Sequence, residues 1–355
     1  MRIVFCGLSI TSSWGNGHAT NYRALVRELT ARGHDVLFCE RDVPWYAAQR
    51  DLPRPPWGTT ELYGSVAELR ERFEADVREA DLVVVGSYVP DGVQVGEWVL
   101  DTAQGATAFY DIDTPVTLAK LARGDFEYLS PQLIPRYDLY LSFTGGPILR
   151  RLEDELDARR ARAFYCLVDP EAYAAAGDAP ARWDLGYLGT YSDDRQPPLE
   201  ELLLEPARRA GERGFVVAGP QYPETIDWPA NVERIEHVPP AEHAAFYAAQ
   251  RFTLNITRED MRRAGWSPSV RLFEAAACGV PVISDRWQGL TSLFAEGSEI
   301  LLADRAQDVL RLLDEVGEDE AREIGAAARA RVLAEHTAAR RAEELEAHVA
   351  EVLVA

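Results

Sequence analysis

Short apolar runs alternate with longer amphipathic stretches through the first half of the chain. The apolar runs predict β-strands, because they are brief, rich in branched residues and bounded by turn-forming residues. They fall at Arg2 to Cys6, Asp35 to Cys39, Leu82 to Gly86, Ala106 to Tyr110, Leu139 to Phe143 and Ala163 to Cys166. The amphipathic stretches predict helices at Thr20 to Arg32, Val66 to Glu79 and Gly92 to Gln104.

The same alternation begins again after a loop rich in Ala, Gly and Pro at Ala174 to Arg182. Strands are predicted at Leu185 to Leu188, Phe215 to Ala218, Val232 to Val238, Phe252 to Ile256 and Val280 to Ser284. Helices are predicted at Leu199 to Arg213, Ala241 to Gln250, Pro268 to Cys278, from Ala306 onward, and from Thr337 to the end.

Strands that alternate with helices require right-handed crossovers, so each half should be a parallel sheet with helices on both faces. A chain of 355 residues is also too long for one ordinary core. We therefore predict an α/β protein of two Rossmann-like domains, residues 1–170 and 171–336. The last helix, residues 337–355, is expected to pack back toward the N-terminal domain.

Composition narrows the range of partners. With 47% hydrophobic and 27% charged residues, the chain is typical of a globular protein. Its net charge of −21 argues against a nucleic acid or an anionic membrane surface, since both would be repelled. Arginines and helix N-termini can still hold a phosphate locally. Lys120 is the only lysine, so a phosphate site must be built from arginines and backbone amides.

The cysteines and the apolar segments indicate a compartment. Four cysteines are scattered along the chain without metal-ligand spacing, which predicts buried free thiols in a reducing environment. The apolar run after Met1 is too short for a signal sequence, and no segment approaches the ~20 apolar residues of a membrane span. We expect a cytoplasmic protein without a metal site.

The segment from Trp266 to Ser284 carries the most specific signals. A Ser-Pro pair suits the start of a helix, and a following Gly-x-Pro pattern suits its end. The free amides at the start of this helix would favour a phosphate. Glu274 falls among apolar residues, where a carboxylate needs a partner. That partner could be Arg271, three residues earlier, or a ligand.

A family resemblance is carried by Arg271, Phe273, Glu274, Ala275, Ala277, Cys278, Gly279, Pro281, Val282, Ile283 and Asp285. It extends upstream to Asn255, Ile256, Thr257 and Arg258, and downstream to Gly289, Leu290 and Phe294. These residues resemble the donor-site signature of GT-B glycosyltransferases, above all the spore-maturation (CgeB-like) family. The element from Asp111 to Pro115 adds to the resemblance. It implies two Rossmann-like domains that face each other across a cleft.

The resemblance also implies a nucleotide-sugar donor bound by the C-terminal domain. Glu274 would hold the ribose, and Arg195 or Arg258 would neutralise the diphosphate in place of a metal; a solvated loop charge is the alternative for Arg195. His237 would contact the nucleobase; a purely structural role is the alternative for this histidine. The donor set is Gly189, Thr190, Tyr191, Arg195, His237, Val238, Arg258, Ser267, Ser269, Arg271 and Glu274. The related large retaining family has a second Glu where Ser267 stands here, so the stereochemistry stays open.

The glycine-containing loop before the first helix offers a candidate catalytic residue. It is longer than the turn of a dinucleotide fingerprint, and Thr20 stands where a third glycine would be required. Glu40, at the end of the second strand, would suit a ribose and keeps an NAD-dependent oxidoreductase open. The resemblance implies that this loop faces the cleft, where His18 could act as a base or bind a sugar. Capping the helix is the alternative for His18.

Asp111 and Asp113 close a predicted strand one residue apart, so their side chains should point to opposite faces. The family element favours Asp113 as a second catalytic residue, with a turn-capping role as the alternative. An Asp-x-Asp pair also suggests a metal-dependent transferase, against which the two-domain layout argues. The predicted acceptor-binding residues are Trp14, Gly15, Asn16, Gly17, Trp45, Trp57 and Asp111.

These observations predict sugar transfer from a UDP- or dTDP-sugar to an acceptor, either a small molecule or a glycan, with no cofactor. A nucleotide-sugar epimerase can share the fold and would act without an acceptor. An NAD-dependent oxidoreductase and a non-catalytic sugar-nucleotide-binding protein are the remaining alternatives.

Overall fold

The computed structural model describes residues 1–14, 17–174 and 180–354. Within them the chain forms two compact units. The first consists of Met1–Leu167 together with the segment from Ala338 onward, and the second is Val168–Thr337. Among the described residues, none of the helices combines the length and apolar composition that a membrane crossing requires.

The first unit is built on seven strands: β1 (Arg2–Gly7), β2 (Asp35–Arg41), β3 (Thr59–Tyr63), β4 (Leu82–Gly86), β5 (Ala106–Asp111), β6 (Leu139–Ser142) and β7 (Ala161–Ala163). They form one parallel sheet in the order β3-β2-β1-β4-β5-β6-β7. Its helices are α1 (His18–Ala31), α2 (Pro44–Ala47), α3 (Val66–Glu79), α4 (Gly92–Thr102), α5 (Thr114–Ala122) and α6 (Pro147–Leu156).

The second unit has six strands: β8 (Trp183–Leu188), β9 (Phe215–Ala218), β10 (Val232–Ile235), β11 (Gln250–Asn255), β12 (Val282–Ser284) and β13 (Leu301–Leu302). They form a parallel sheet in the order β10-β9-β8-β11-β12-β13. Its helices are α7 (Gln196–Leu199), α8 (Glu205–Arg209), α9 (His243–Ala248), α10 (Glu259–Ala264), α11 (Val270–Ala277), α12 (Leu290–Leu293), α13 (Ala306–Glu315) and α14 (Glu318–Glu335). A π-helical turn, Glu200–Leu204, joins α7 to α8.

The predicted α/β class with two parallel sheets is confirmed. The central strand β4 is buried at every position, because helices cover both faces of a parallel sheet. Strand β3 was not predicted, since its Thr- and Glu-containing sequence lies at the sheet edge and is only partly buried. The last strand of the first sheet ends at Ala163, so the predicted strand at 163–166 was placed too late along the chain.

The C-terminal helix α15 (Ala338–Leu353) belongs to the first unit and packs against α1. Glu346 on α15 accepts hydrogen bonds from the Arg32 guanidinium at 2.7 and 2.9 Å, and it lies 2.7 Å from His34 Nε2. These partners lower the pKa of Glu346 to about 2, because they stabilise the carboxylate. The helix is therefore held by charge as well as by its apolar face.

Candidate functional site

The loop after β8 lies at the switch point of the second sheet, where β8 is flanked by β9 and β11. Three successive carbonyl oxygens there accept hydrogen bonds: Leu188 from Arg271 Nε (2.5 Å), Gly189 from the Tyr222 hydroxyl (3.0 Å) and Thr190 from Arg195 Nη2 (2.6 Å). Within the described ranges, the Thr190 N–H has no acceptor from the protein. Because the protein bonds the loop carbonyls and leaves the Thr190 N–H available, this loop is suited to binding an anion.

Arg271 on α11 is a buried cation beneath this loop. Its Nη1 donates to Asn255 Oδ1 at 3.0 Å and Ile256 O at 3.4 Å, and its guanidinium lies 4.6 Å from the centre of the Tyr187 ring. All of these partners are neutral, and the described contacts of Arg271 include no ion pair with Glu274. A buried charge without a counterion is costly, so a bound anion would stabilise this arrangement.

Glycine is required where the loop crosses the guanidinium. A Cβ on Gly189 would lie 2.7 Å from the Tyr187 hydroxyl and 2.8 Å from Arg271 Nη2. A Cβ on Gly219, after β9, would lie 2.1 Å from Gly189 O, and its φ of +139° also favours glycine. The two glycines therefore let the loop rest directly on the arginine.

Glu274, on the same helix, is 7% exposed. Its Oε1 accepts from the Tyr173 hydroxyl at 2.6 Å and its Oε2 from the Tyr247 hydroxyl at 3.1 Å. His243 Nδ1 lies 3.9 Å from Oε2. A carboxylate has more acceptor positions than two hydroxyls use, so Glu274 can still accept a bond from a ligand hydroxyl.

The helix carrying these residues begins later than its sequence suggests. The structure places the N-cap at Ser269, not at Ser267, and the first helical residue at Val270. Ser269 has extended backbone angles (φ −83°, ψ 151°), so the helix begins only after it. Ser269 Oγ donates to Asn255 Oδ1 at 2.8 Å, while Ser267 is buried.

Other predicted donor residues surround the switch point. Arg195 also donates to Ser192 Oγ at 2.9 Å, so its guanidinium is used to hold the loop. Arg258 Nε lies 3.8 Å from Asp194 Oδ2. Tyr191 donates to an Asp193 carboxylate oxygen at 2.7 Å. Of the predicted base contacts, His237 is exposed and Val238 is buried.

A polar cavity of about 390 Å³ adjoins these loops, and sequence reasoning did not single it out. Asp285, at the end of β12, lines it beside Thr257. Asp285 Oδ1 accepts from the backbone N–H and the hydroxyl of Thr257, at 3.1 and 2.9 Å. Burial raises the pKa of Asp285 to about 6, although these hydrogen bonds oppose the shift.

The first loop of the first unit is anchored by a buried carboxylate. Glu40 Oε2 accepts from the backbone N–H groups of Ile10 and Thr11 at 2.7 and 2.9 Å, and its Oε1 accepts from Thr11 Oγ1 at 2.6 Å. Glu40 is completely buried. A ribose cannot reach it, which removes the residue on which the oxidoreductase alternative depends.

His18 follows that loop as the first residue of α1, with Gly17 at the N-cap position. Its ring is half-buried, with its centre 6.1 Å from that of Phe143. Burial lowers the pKa of His18 to about 4, so the imidazole is neutral near pH 7. Gly15 and Asn16, two of the predicted acceptor contacts, lie outside the described residues.

The two aspartates after β5 have different surroundings. Asp111 is fully buried, and its oxygens accept from the Tyr140 hydroxyl at 2.5 Å and from Thr117 Oγ1 at 2.7 Å. Burial raises the pKa of Asp111. Asp111 has no exposed surface, so the prediction that it binds the acceptor substrate is wrong. Asp113 is only partly buried and accepts from the Tyr88 hydroxyl at 3.1 Å.

The aromatic residues predicted to contact the acceptor differ in exposure. Trp14 and Trp45 are 50% and 56% exposed, which is unusual for such large apolar side chains. Trp57 is partly buried, with the Arg27 guanidinium 5.9 Å from its ring centre. Trp14 and Trp45 therefore offer more surface for stacking than Trp57 does.

Comparison with known proteins gives the family context. Residues 195–347 match the family described as glycosyl transferase-like. Sucrose-phosphate synthase from Thermosynechococcus elongatus superposes with a TM-score of 0.72 over 100% of both chains, at 16% identity. HepE from Anabaena, in complex with UDP and glucose, superposes with a TM-score of 0.73 at 12% identity, over 99% of this chain and 100% of that one.

The chain has the GT-B fold and carries a glycosyltransferase domain. An α-glucosyltransferase in complex with UDP and a 13-mer DNA also shares the GT-B fold, with a TM-score of 0.68 at 10% identity, over 98% of this chain and 99% of that one. Comparison with curated protein sequences gave no significant match. The prediction of a glycosyltransferase of two Rossmann-like domains is confirmed.

Proposed function

We propose that this GT-B glycosyltransferase transfers a sugar from a UDP- or dTDP-sugar, and that residues 171–336 bind the donor. The observation that carries this proposal is Arg271, a buried cation with neutral partners beneath a loop whose carbonyls face the protein. The diphosphate would supply the missing negative charge and accept from the Thr190 N–H. HepE in complex with UDP-glucose supports UDP as the nucleotide to test first.

The remaining donor contacts follow from the same edge of the sheet. Glu274 would accept from a ribose hydroxyl, and His237 and Val238 would flank the base. Arg258, Ser267 and Ser269 would line the diphosphate and sugar. We assign Arg195 a positioning role, because its guanidinium is bonded to the loop itself.

The acceptor would bind to residues 1–170, where Trp14 and Trp45 are exposed for stacking. The acceptor oxygen would bond to the anomeric carbon as that carbon's bond to the diphosphate breaks, and His18 would take the acceptor proton. Asp113 is the alternative base. Arginine and helix-dipole charge would stabilise the leaving diphosphate without a metal.

We further propose that the protein is a CgeB-like glycosyltransferase and that it is cytoplasmic. The family proposal rests on the residues from Arg271 to Asp285. The location rests on four cysteines that are all buried as thiols, as expected in a reducing compartment. A small molecule or a glycan is the proposed acceptor, since the net charge of −21 disfavours nucleic acid.

The donor site is tested by UDP titration of Glu274→Ala. Loss of the ribose contact should weaken UDP binding by roughly tenfold, the effect of one charged hydrogen bond. Glu74→Ala, on the exposed face of α3, is the matched control and should bind UDP like the parent. A folded Glu274→Ala variant with unchanged UDP affinity would contradict the proposed ribose contact.

Transfer itself is tested by measuring UDP release from UDP-sugars with and without candidate acceptors. Release that depends on the acceptor supports glycosyl transfer. Conversion of the sugar without release of UDP would indicate the epimerase instead.

A further inference from the structure

His243, the first residue of α9, joins the two ends of the proposed nucleotide site. Its Nε2 lies 3.2 Å from Val238 O, at the proposed base contact. Its Nδ1 lies 3.1 Å from the hydroxyl oxygen of Tyr173, which in turn donates to Glu274 Oε1 at 2.6 Å. A continuous chain of hydrogen bonds therefore runs from the base end to the ribose end.

This chain needs one proton more than an ionised Glu274, a Tyr173 hydroxyl and a neutral His243 supply together. The carbonyl of Val238 only accepts, so Nε2 must carry a proton. Tyr173 has a single hydroxyl proton, and the 2.6 Å bond directs it to Glu274. A neutral His243 would then turn a lone pair on Nδ1 toward a lone pair of Tyr173. Every contact is satisfied only when one extra proton is present.

We propose that Glu274, Tyr173 and His243 share one proton, and that His243 is a positioning residue that makes nucleotide affinity depend on pH. The proton sits either on the imidazole or on the carboxyl group, and in both cases the cluster is neutral. This proposal rests on the donor site proposed above. It adds the group that sets the charge of that site.

The surrounding groups fix the sign of the effect. Tyr247 and His243 itself lie on α9, Glu274, Arg271 and Cys278 on or directly after α11, and Tyr173 in the segment that opens the second unit. Burial raises the pKa values of Tyr173, Tyr247 and Cys278, so none of them ionises near neutral pH. Loss of the shared proton leaves Glu274 as an uncompensated anion. An anionic nucleotide should therefore bind more weakly as pH rises.

The experiment is a UDP titration of the full chain between about pH 5 and 9, the range in which histidines titrate. The parent should lose affinity as pH rises, by at most about tenfold per pH unit because one proton is linked. His243→Gln can still donate to Val238 O but cannot hold the proton, so it should lack this loss. His348→Gln, on α15, is the matched control and should behave like the parent.

UDP loses a phosphate proton in the same range, so the difference between His243→Gln and the parent is the quantity that decides. Equal pH dependence in the two would overturn the shared proton. The absence of UDP binding by the parent at every pH would instead overturn the proposed donor site.

A second measurement keeps the inference testable if His243→Gln does not fold. In the free protein, the His243 ring is followed by NMR as pH is raised, with Glu274→Gln as the comparison. The pH dependence of the ring signals should differ between the two proteins, because the carboxylate that shares the proton is gone in Glu274→Gln. An unchanged titration would overturn the inference.

Discussion

The loops that follow the first strand of each sheet are topological equivalents, yet they are anchored by opposite charges. In the first unit the buried anion Glu40 takes the N–H groups of Ile10 and Thr11. In the second unit the guanidiniums of Arg271 and Arg195 take loop carbonyls. In the first loop, backbone N–H donors are bonded to the protein. In the second loop, backbone carbonyl acceptors are.

This difference explains why two similar folds should bind different ligands. A phosphate needs an N–H donor and positive charge; the Gly189 loop offers the Thr190 N–H, and Arg271 lies beneath that loop. The first loop offers neither at Ile10 and Thr11, and a buried carboxylate beneath it would repel a diphosphate. We propose that it instead positions His18 and Trp14 for a neutral acceptor.

The strongest test of this division is His18→Ala. If His18 is the base, turnover should fall by ~10²–10⁴-fold while UDP affinity stays unchanged, since the proposed nucleotide site is in the other unit. Activity needs the neutral imidazole, so it should rise with pH through the lowered pKa of about 4 and stay flat near neutrality. Measured kcat and UDP affinity check both points.

A mutant with parental turnover would remove His18 from the chemistry, and Asp113→Asn would then be assayed in the same way. Reduced affinity for the donor sugar with an unaltered pH profile would make His18 a sugar ligand instead.

Sequence patterns predicted the sheets well because strands such as β4 are apolar throughout and flanked by helices with clear ends. They also drew attention to Arg271 and Glu274 through the family motif. They could not reveal what these side chains touch. Tyr173 lies 101 residues from Glu274, and the Leu188 carbonyl lies 83 residues from Arg271, and no local pattern links residues so far apart.

The same limit applies in the first unit. Glu40 looked like a ribose ligand because it ends a strand, but the loop that returns over it takes up both of its oxygens. Alternation predicted opposite directions for Asp111 and Asp113, yet only the packing of Tyr140 and Thr117 shows which of the two is enclosed.

The second test is Arg271→Met, which keeps the bulk of the side chain and removes its charge. UDP affinity should fall by ~10²-fold, since charged hydrogen bonds contribute about 1.5–3 kcal/mol each. Glu40→Gln removes the opposite charge from the other loop and should leave UDP affinity unchanged. Calorimetric titration with UDP checks both variants. Equal effects of the two would refute the assignment of the nucleotide to the second unit.

A smaller effect is expected from Gly189→Ala. The added Cβ would meet the Tyr187 hydroxyl and Arg271 Nη2 at 2.7 and 2.8 Å, so the loop must lift away from the guanidinium. We expect UDP affinity to fall by about tenfold, in line with the 1–3 kcal/mol typical of overpacking. Gly211→Ala is the control, because its Cβ would meet nothing within 4 Å. Equal UDP affinity in the two variants would show that the loop does not rest on the arginine during binding.

The smallest effect is expected from chelation. Asp111 and Asp113 are the pair that the sequence suggests for a divalent metal, but the Asp111 oxygens are bonded to Tyr140 and Thr117 inside the protein. In the second unit, Arg271 would supply the positive charge that a metal otherwise brings to the diphosphate. Turnover should therefore be nearly unchanged in EDTA, measured as sugar transfer before and after dialysis. Activity lost in EDTA and restored by Mg²⁺ or Mn²⁺ would mean that the arginine alone does not carry the leaving group. Asp113→Asn would then show whether the metal is held at the first sheet.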